Sequence, residues 1–329
     1  MKNKVIVIIF IALIIIIFLI VAGNLSRPPS PDVKQTVYPA LGIQYANPSI
    51  SKDPKLDTLS FPNNLPLIKK VISQEDSDKK AKTVASSLGI EDQYEGIHTQ
   101  TKLRKSVING DEVYTWIDND KLLTYYLKTG VFEYSSAYVE STLPTDEQRA
   151  RETIISLLTK DALLPSEYQI TVEFLKLPEF SLSTPNNFSL YKISLIPKLN
   201  NIPILTYKNN GQIITFLLNR DFSIFKGDYL YIPLQVISET ISIRSFTDAL
   251  NQVTKATIKP SFIDIPNLYP EPDINSIAII NLTLINAELV YYINPKDEEV
   301  IYPTYKITAN IQTKQGLAGT AIFMVSAQK

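Results

Sequence analysis

One histidine and no cysteine limit the covalent and metal chemistry open to this chain. Without cysteine there is no thiolate nucleophile, no disulfide, no Cys-ligated zinc or iron–sulfur cluster, and no lipid-modified N-terminal cysteine. His-pair metal sites are excluded as well, because His98 stands alone. A Ser–His–Asp triad would have to use His98, within Gly96-Ile97-His98-Thr99, and no Gly-x-Ser-x-Gly elbow accompanies it. His98 therefore reads as a loop or surface residue. The 10 glycines are scattered, so no glycine-rich loop cradles a phosphate.

Carboxylates are plentiful but unselected by spacing. Asp118-Asn119-Asp120 resembles half of a calcium loop, yet it lacks the following Gly and the distal bidentate Glu, and it suits a hairpin turn better. Asp297-Glu298-Glu299 falls between two strand-like runs and reads as a solvated turn. A pair of carboxylates for glycoside hydrolysis could be drawn from residues far apart in the chain, but no pattern picks one. No catalytic residue, cofactor site or metal site is expected.

Tyrosine is the remaining chemical signal, with 18 copies. Tyrosine is favoured at interfaces and is also a good strand former on a half-buried face. Tyr291, Tyr292, Tyr302 and Tyr305 are the candidate interaction surface. Strand alternation sends Tyr291 and Tyr292 to opposite faces, and Tyr302 and Tyr305 likewise, so one member of each pair is expected outward.

The elements that would position these residues follow from periodicity. After a Pro-rich linker over 24–56, which favours extended chain, three units are expected at 57–140, 141–236 and 237–329. Each is read as a helix followed by antiparallel strands. The first holds a strand at Leu67–Ser73 and a helix at Ser77–Leu88. Strands at Glu112–Ile117, Leu122–Leu127 and Val131–Ser136 complete it. In the second, Thr145 and Gln148 form a capping box for a helix with Ala150, Ile154, Leu157 and Leu158 on its buried stripe. Strands are expected at Ile170–Leu175, Leu190–Ile196, Ile204–Tyr207, Gln212–Leu218 and Tyr229–Ile232. In the third, Ser242 caps a helix with Ile243, Phe246, Leu250 and Val253 on one face. Its strands are Ile277–Leu284, Glu288–Ile293, Tyr302–Ile311 and Gly319–Val325. The fold class expected is α+β, each helix packed on an antiparallel β-sheet, behind an N-terminal transmembrane helix.

That helix is Val5–Ala22, an unbroken apolar run without charge. It spans roughly 27 Å as a helix, close to a hydrocarbon core. Residues 1–23 are thus expected to anchor the chain in a lipid bilayer through residues 5–22; a cleaved signal peptide ending near Val21-Ala22-Gly23 is the other reading. Lys2 and Lys4 precede the run, while Arg27 and Lys34 follow it, which leans towards a cytoplasmic N-terminus and an extracytoplasmic C-terminal part. With 32 Lys+Arg against 33 Asp+Glu, no basic footprint for nucleic acid is present.

In the last third, Tyr229-Leu230-Tyr231-Ile232-Pro233 is followed by Ser245-Phe246-Thr247-Asp248-Ala249-Leu250 opening a helix. Ala287-Glu288-Leu289-Val290-Tyr291-Tyr292, Tyr302-Pro303-Thr304-Tyr305-Lys306-Ile307 and Phe323-Met324-Val325-Ser326-Ala327 come next. This succession resembles PepSY-like and YycH/YycI-like extracytoplasmic modules over residues 225–329. The resemblance implies a non-catalytic regulator that contacts a membrane partner such as a sensor kinase. The closing Gly-containing hairpin of those modules is missing here. The function expected is a membrane-anchored protein-interaction or regulatory module, not an enzyme. A hydrolase using carboxylates or a Ser/Lys pair, and a structural envelope component, are the alternatives.

Overall fold

In the computed structural model, the residues described are 44–71, 76–90, 102–108, 110–178, 180–206, 212–265, 278–293 and 300–328. The run Val5–Ala22, His98 and Asp297-Glu298-Glu299 lie outside them. The first half holds β1 (Gln44–Lys52), a 3-10 turn (Pro54–Thr58), β2 (Asn64–Lys70), α1 (Ser77–Ser87), β3 (Lys102–Ile108), β4 (Asp111–Asp118), β5 (Lys121–Tyr126), β6 (Phe132–Ser135) and α2 (Glu147–Lys160). Next come β7 (Tyr168–Lys176), β8 (Ser181–Leu182), β9 (Leu190–Leu199), β10 (Ile202–Thr206), β11 (Ile214–Asn219), β12 (Ile224–Tyr229) and β13 (Leu234–Ser242). The rest is α3 (Phe246–Thr254), β14 (Phe262–Asp264), β15 (Ala278–Ile293), β16 (Val300–Ile301), β17 (Pro303–Thr313) and β18 (Ala318–Ser326).

The expected α+β class is corrected by this inventory. Strands dominate, and only three α-helices occur among the described residues. A 15-stranded mixed sheet runs β14-β18-β17-β15-β10-β9-β11-β12-β6-β5-β4-β3, with β1 also on β15, β7 also on β9, and β8 on β7. A second sheet runs β13-β2-β16. Stretches read as three tandem units therefore feed one sheet. Two pairings do this: β12 returns to β6 antiparallel, and β10 lies parallel to β15. Local alternation sets which residues form strands, but it does not set which strand each one joins.

The membrane expectation is corrected too. No helix among the described residues is long and apolar enough to cross a membrane. The structure thus gives no support to a single-pass arrangement with the N-terminus inside and the C-terminal part outside, and that assignment is set aside.

Residues 44–52, within the stretch read as a linker, form β1 and pair in parallel with β15. The register shifts between Tyr45 and Ser49, around Pro48, which has no N–H to give the ladder. The two strands expected at Ile277–Leu284 and Glu288–Ile293 are one, β15; a bulge between Leu284 and Asn286 accounts for the break in pattern. Helix starts shift slightly. Thr145 Oγ1 donates to the Pro185 carbonyl (2.6 Å), leaving Asp146 to cap α2 by accepting from the Arg149 amide (2.9 Å). Ser242 is paired within β13, and Ser245 caps α3.

One core lies where α1 and α2 cover β4, β5, β6, β12, β11 and β9. In register across four strands, Tyr114, Tyr125, Phe132 and Tyr229 point to this face. Phe132 stacks on Tyr229 at 5.0 Å and on Tyr125 at 6.2 Å. In the next row Gly227 sits between Tyr134 and Phe216, where a Cβ would come within 2.6 Å of the Phe216 ring. Only glycine leaves room for that ring. A second core packs α3 against β15, β17 and β18.

Candidate functional site

Alternation that buries the aromatic rows beneath α1 and α2 sends the intervening residues to the opposite face, which carries no helix among the described residues. There Arg104, Thr115, Thr124, Glu133, Asp228, Thr215, Ser194 and Thr171 stand in register across β3, β4, β5, β6, β12, β11, β9 and β7. Hydroxyl side chains supply most of this row, and its centre is acidic. Glu133 is directly opposite Asp228, an arrangement that costs energy for two like charges on facing strands.

A shallow depression of about 270 Å³ opens over that pair. Thr124 and Ser135 flank it with hydroxyls, Leu122 and Leu230 supply apolar walls, and Lys226 stands at one side. The Lys226 Nζ lies 3.6 Å from Asp228 Oδ2. Further along the face Lys192 and Glu173 pair at 2.8 Å. Thr215 and Ser194, farther along the row, are buried; around the depression the pleated sheet fixes the spacing of Thr124, Glu133, Ser135 and Asp228, which is what a binding surface needs in order to meet a partner without reordering.

Neither Glu133 nor Asp228 stood out from the sequence. The strand alternation of Phe132-Glu133-Tyr134-Ser135 was a usable signal for Glu133 facing away from the core. Nothing local brings Asp228 beside it, because that needs the β6–β12 pairing.

The four tyrosines expected to include outward contacts are all buried: Tyr291 0%, Tyr292 3%, Tyr302 8% and Tyr305 1% exposed. Tyr291 donates its hydroxyl to the Pro66 carbonyl (2.9 Å), and burial pushes its pKa up to about 12. Tyr305 donates to the Arg244 carbonyl (2.7 Å), packs edge-on to Phe61, and is likewise raised by burial. Tyr291 and Tyr292 do point to opposite faces of β15. Both faces of its C-terminal end are packed, however, one by the main core and the other by Leu205, Val290 and Met324. The outward member of each pair does not exist, and these residues are corrected to core. Asp118-Asn119-Asp120 turns β4 into β5, with Asn119 at φ 49° and its amide donating to Asp118 at 3.2 Å.

No protein-family model matches this chain, so the YycH/YycI-like resemblance has no family match behind it. No curated protein sequence matches it either. Among solved structures, it is similar to an uncharacterized protein from Eubacterium rectale ATCC 33656 at 12% identity and a TM-score of 0.48, covering 82% of this chain and 86% of that one. It is more distantly similar to the Bacillus megaterium YpeB C-terminal domain, at 12% identity and a TM-score of 0.34, covering 78% of this chain and 99% of that one. Likenesses this remote transfer no function.

Proposed function

We propose that this chain is a binding module that acts on a protein partner by contact, with the sheet face around Glu133 and Asp228 as its working surface. One observation carries the reading: two carboxylates held in cross-strand register within a groove edged by hydroxyls and two leucines. A guanidinium or ammonium from a partner would donate charge-assisted hydrogen bonds to the two carboxylates, while Leu122 and Leu230 shelter the contact. The finer form of the proposal takes its partner from the YycH/YycI-like resemblance, which implies a sensor kinase.

A photo-crosslinking residue at Ser135 in the full chain, in its own cells, tests this. Ser135 should give one discrete adduct, whereas the same probe at Leu182, exposed on β8 well away in the sheet, should not. Glu133→Lys together with Asp228→Lys should abolish the adduct without loss of cooperative melting. An adduct that survives the double charge reversal would sink the reading.

The facing carboxylates favour a second reading, hydrolysis with one as acid and the other as base or nucleophile. Turnover of a glycan by the full chain, lost in Glu133→Gln, would establish it in place of the first.

A further inference from the structure

We propose that the outer edge of β3, which no described strand occupies, accepts an added strand, supplied by an extended acidic segment of a protein partner. The proposal concerns a different surface from the carboxylate groove and does not depend on it. Among the described residues β3 pairs with β4 alone, in unbroken register from Lys102 opposite Ile117 to Ile108 opposite Asp111. Seven residues without a bulge leave half of the strand's N–H and C=O groups directed away from the sheet, the ladder that an incoming strand uses. The side chains along the edge are open: Arg104 through Ile108 are exposed, Val107 to 69%.

Charge identifies the occupant. Lys102-Leu103-Arg104-Lys105-Ser106-Val107-Ile108 carries three cations and no acid. The β4 residues opposite Arg104 and Lys105 are Thr115 and Tyr114, neither of which supplies a carboxylate. Lys105 donates to the Tyr114 hydroxyl at 2.8 Å, and that hydroxyl in turn bonds Asp78 of α1, so the helix side of the edge is partly answered. Arg104 lies on the other side, at the end of the hydroxyl row. A second copy of this chain is a poor occupant, since antiparallel self-pairing about the middle of β3 sets Lys105 against Lys105, and like charges directly opposite destabilise a pair. Lysines also guard edges against aggregation, yet Val107 stands 69% exposed on this one, an apolar surface left for an occupant to cover. The segment that fits is extended, acidic at alternate positions facing Arg104, with a β-branched residue to cover Val107.

The test uses the full chain and a fluorescent, end-blocked ten-residue peptide alternating Glu with Val or Thr. Anisotropy should show binding at least about tenfold tighter than for the same peptide with Lys in place of Glu, a difference of about 1.4 kcal/mol, and weaker in high salt. N-methylating one alternate set of peptide amides should abolish binding, and methylating the other set should not. Amide hydrogen exchange over residues 102–108 should slow in the complex. Arg104→Glu should reverse the preference between the two peptides, and Glu133→Lys with Asp228→Lys should leave it intact, which separates this site from the groove. No binding, or equal tolerance of both methylated peptides, would mean a guarded edge only and overturn the proposal. Slowed exchange over 102–108 that appears with protein concentration and without peptide would overturn it in favour of a second copy.

Discussion

At the scale of single residues, the groups with shifted acidity sit in the framework of the fold. Asp161 closes α2, and one of its carboxylate oxygens accepts a hydrogen bond from Ser87 Oγ of α1 (2.7 Å). Its other oxygen is buried with no hydrogen-bond partner among the described residues, at a helix C-terminus that already disfavours negative charge. Burial holds its pKa above the ordinary 3.8, against the opposing pull of Ser87 and Lys160. Relative to the unfolded chain, the folded state thus favours the protonated acid. That preference stabilises the fold fully below the unfolded pKa and is lost as pH rises through the raised folded value. Asp78 behaves oppositely: the Tyr114 hydroxyl, followed by Lys82 and Lys105, lowers its pKa, so its contribution is present above the unfolded value and lost as pH falls through the folded one. The two windows lie on opposite sides of the ordinary carboxylate pKa. Asp161→Asn should therefore stabilise the fold more at pH 7 than in acid below the ordinary carboxylate pKa. An equal change in melting temperature under both conditions would remove Asp161 from the account.

At the scale of elements, many strands are legible and their partnership is not; β1, β3 and β13 fall where no strand is expected, and β12 (Ile224–Tyr229) lies ahead of the expected Tyr229–Ile232. The run Glu112–Ile117 reads as a strand because Val113, Thr115 and Ile117 alternate with Tyr114 and Trp116, and β4 covers it. The same alternation correctly separates Tyr291 from Tyr292, yet it misjudges their exposure, because a strand covered on both faces looks the same in local sequence as one covered on a single face. Glu133 and Asp228 escaped notice for a related reason, since a cross-strand pair exists only once its two strands have met. Caps were misread by small steps where a competing bond claimed the first candidate, as the Pro185 carbonyl claims Thr145. Proline density over 24–56 predicts a linker, but β1 tolerates Pro48 by shifting its register there. A chain beginning at Lys55 lacks β1 and bares one edge of β15 beside Leu282 and Leu284. It should unfold at lower denaturant concentration than a chain beginning at Gln44, and it should aggregate more readily. Equal midpoints would show that β1 contributes nothing to the fold.

At the scale of the whole molecule, residues 38–329 gather into a single compact unit, and the pairings that unite the large sheet join strands far apart in sequence. Such non-local contacts slow folding, because the loops between them must close before the contacts reward closure. They also tie distant regions into one transition. Trp116, the only tryptophan, is fully buried in the core under α1 and α2. Its fluorescence on denaturant unfolding should coincide with far-ultraviolet circular dichroism, which reports the β15–β18 end as well. Separated transitions would instead favour units that fold independently at 57–140, 141–236 and 237–329.

The strand directions at that end of the sheet have a mechanical consequence. β1 is parallel to β15, and β18, two antiparallel steps away through β17, runs the same way. Gln44 lies at the Ala278 end of β15, while Ser326, opposite Thr304, lies at the Val290 end. Tension applied between residues 44 and 326 therefore draws the outer strands in opposite directions along their own axes. The rungs of the ladders share that load side by side, where a peeling geometry would break them one at a time. Along this axis the sheet is built to carry a pull, and across it the same sheet would unzip.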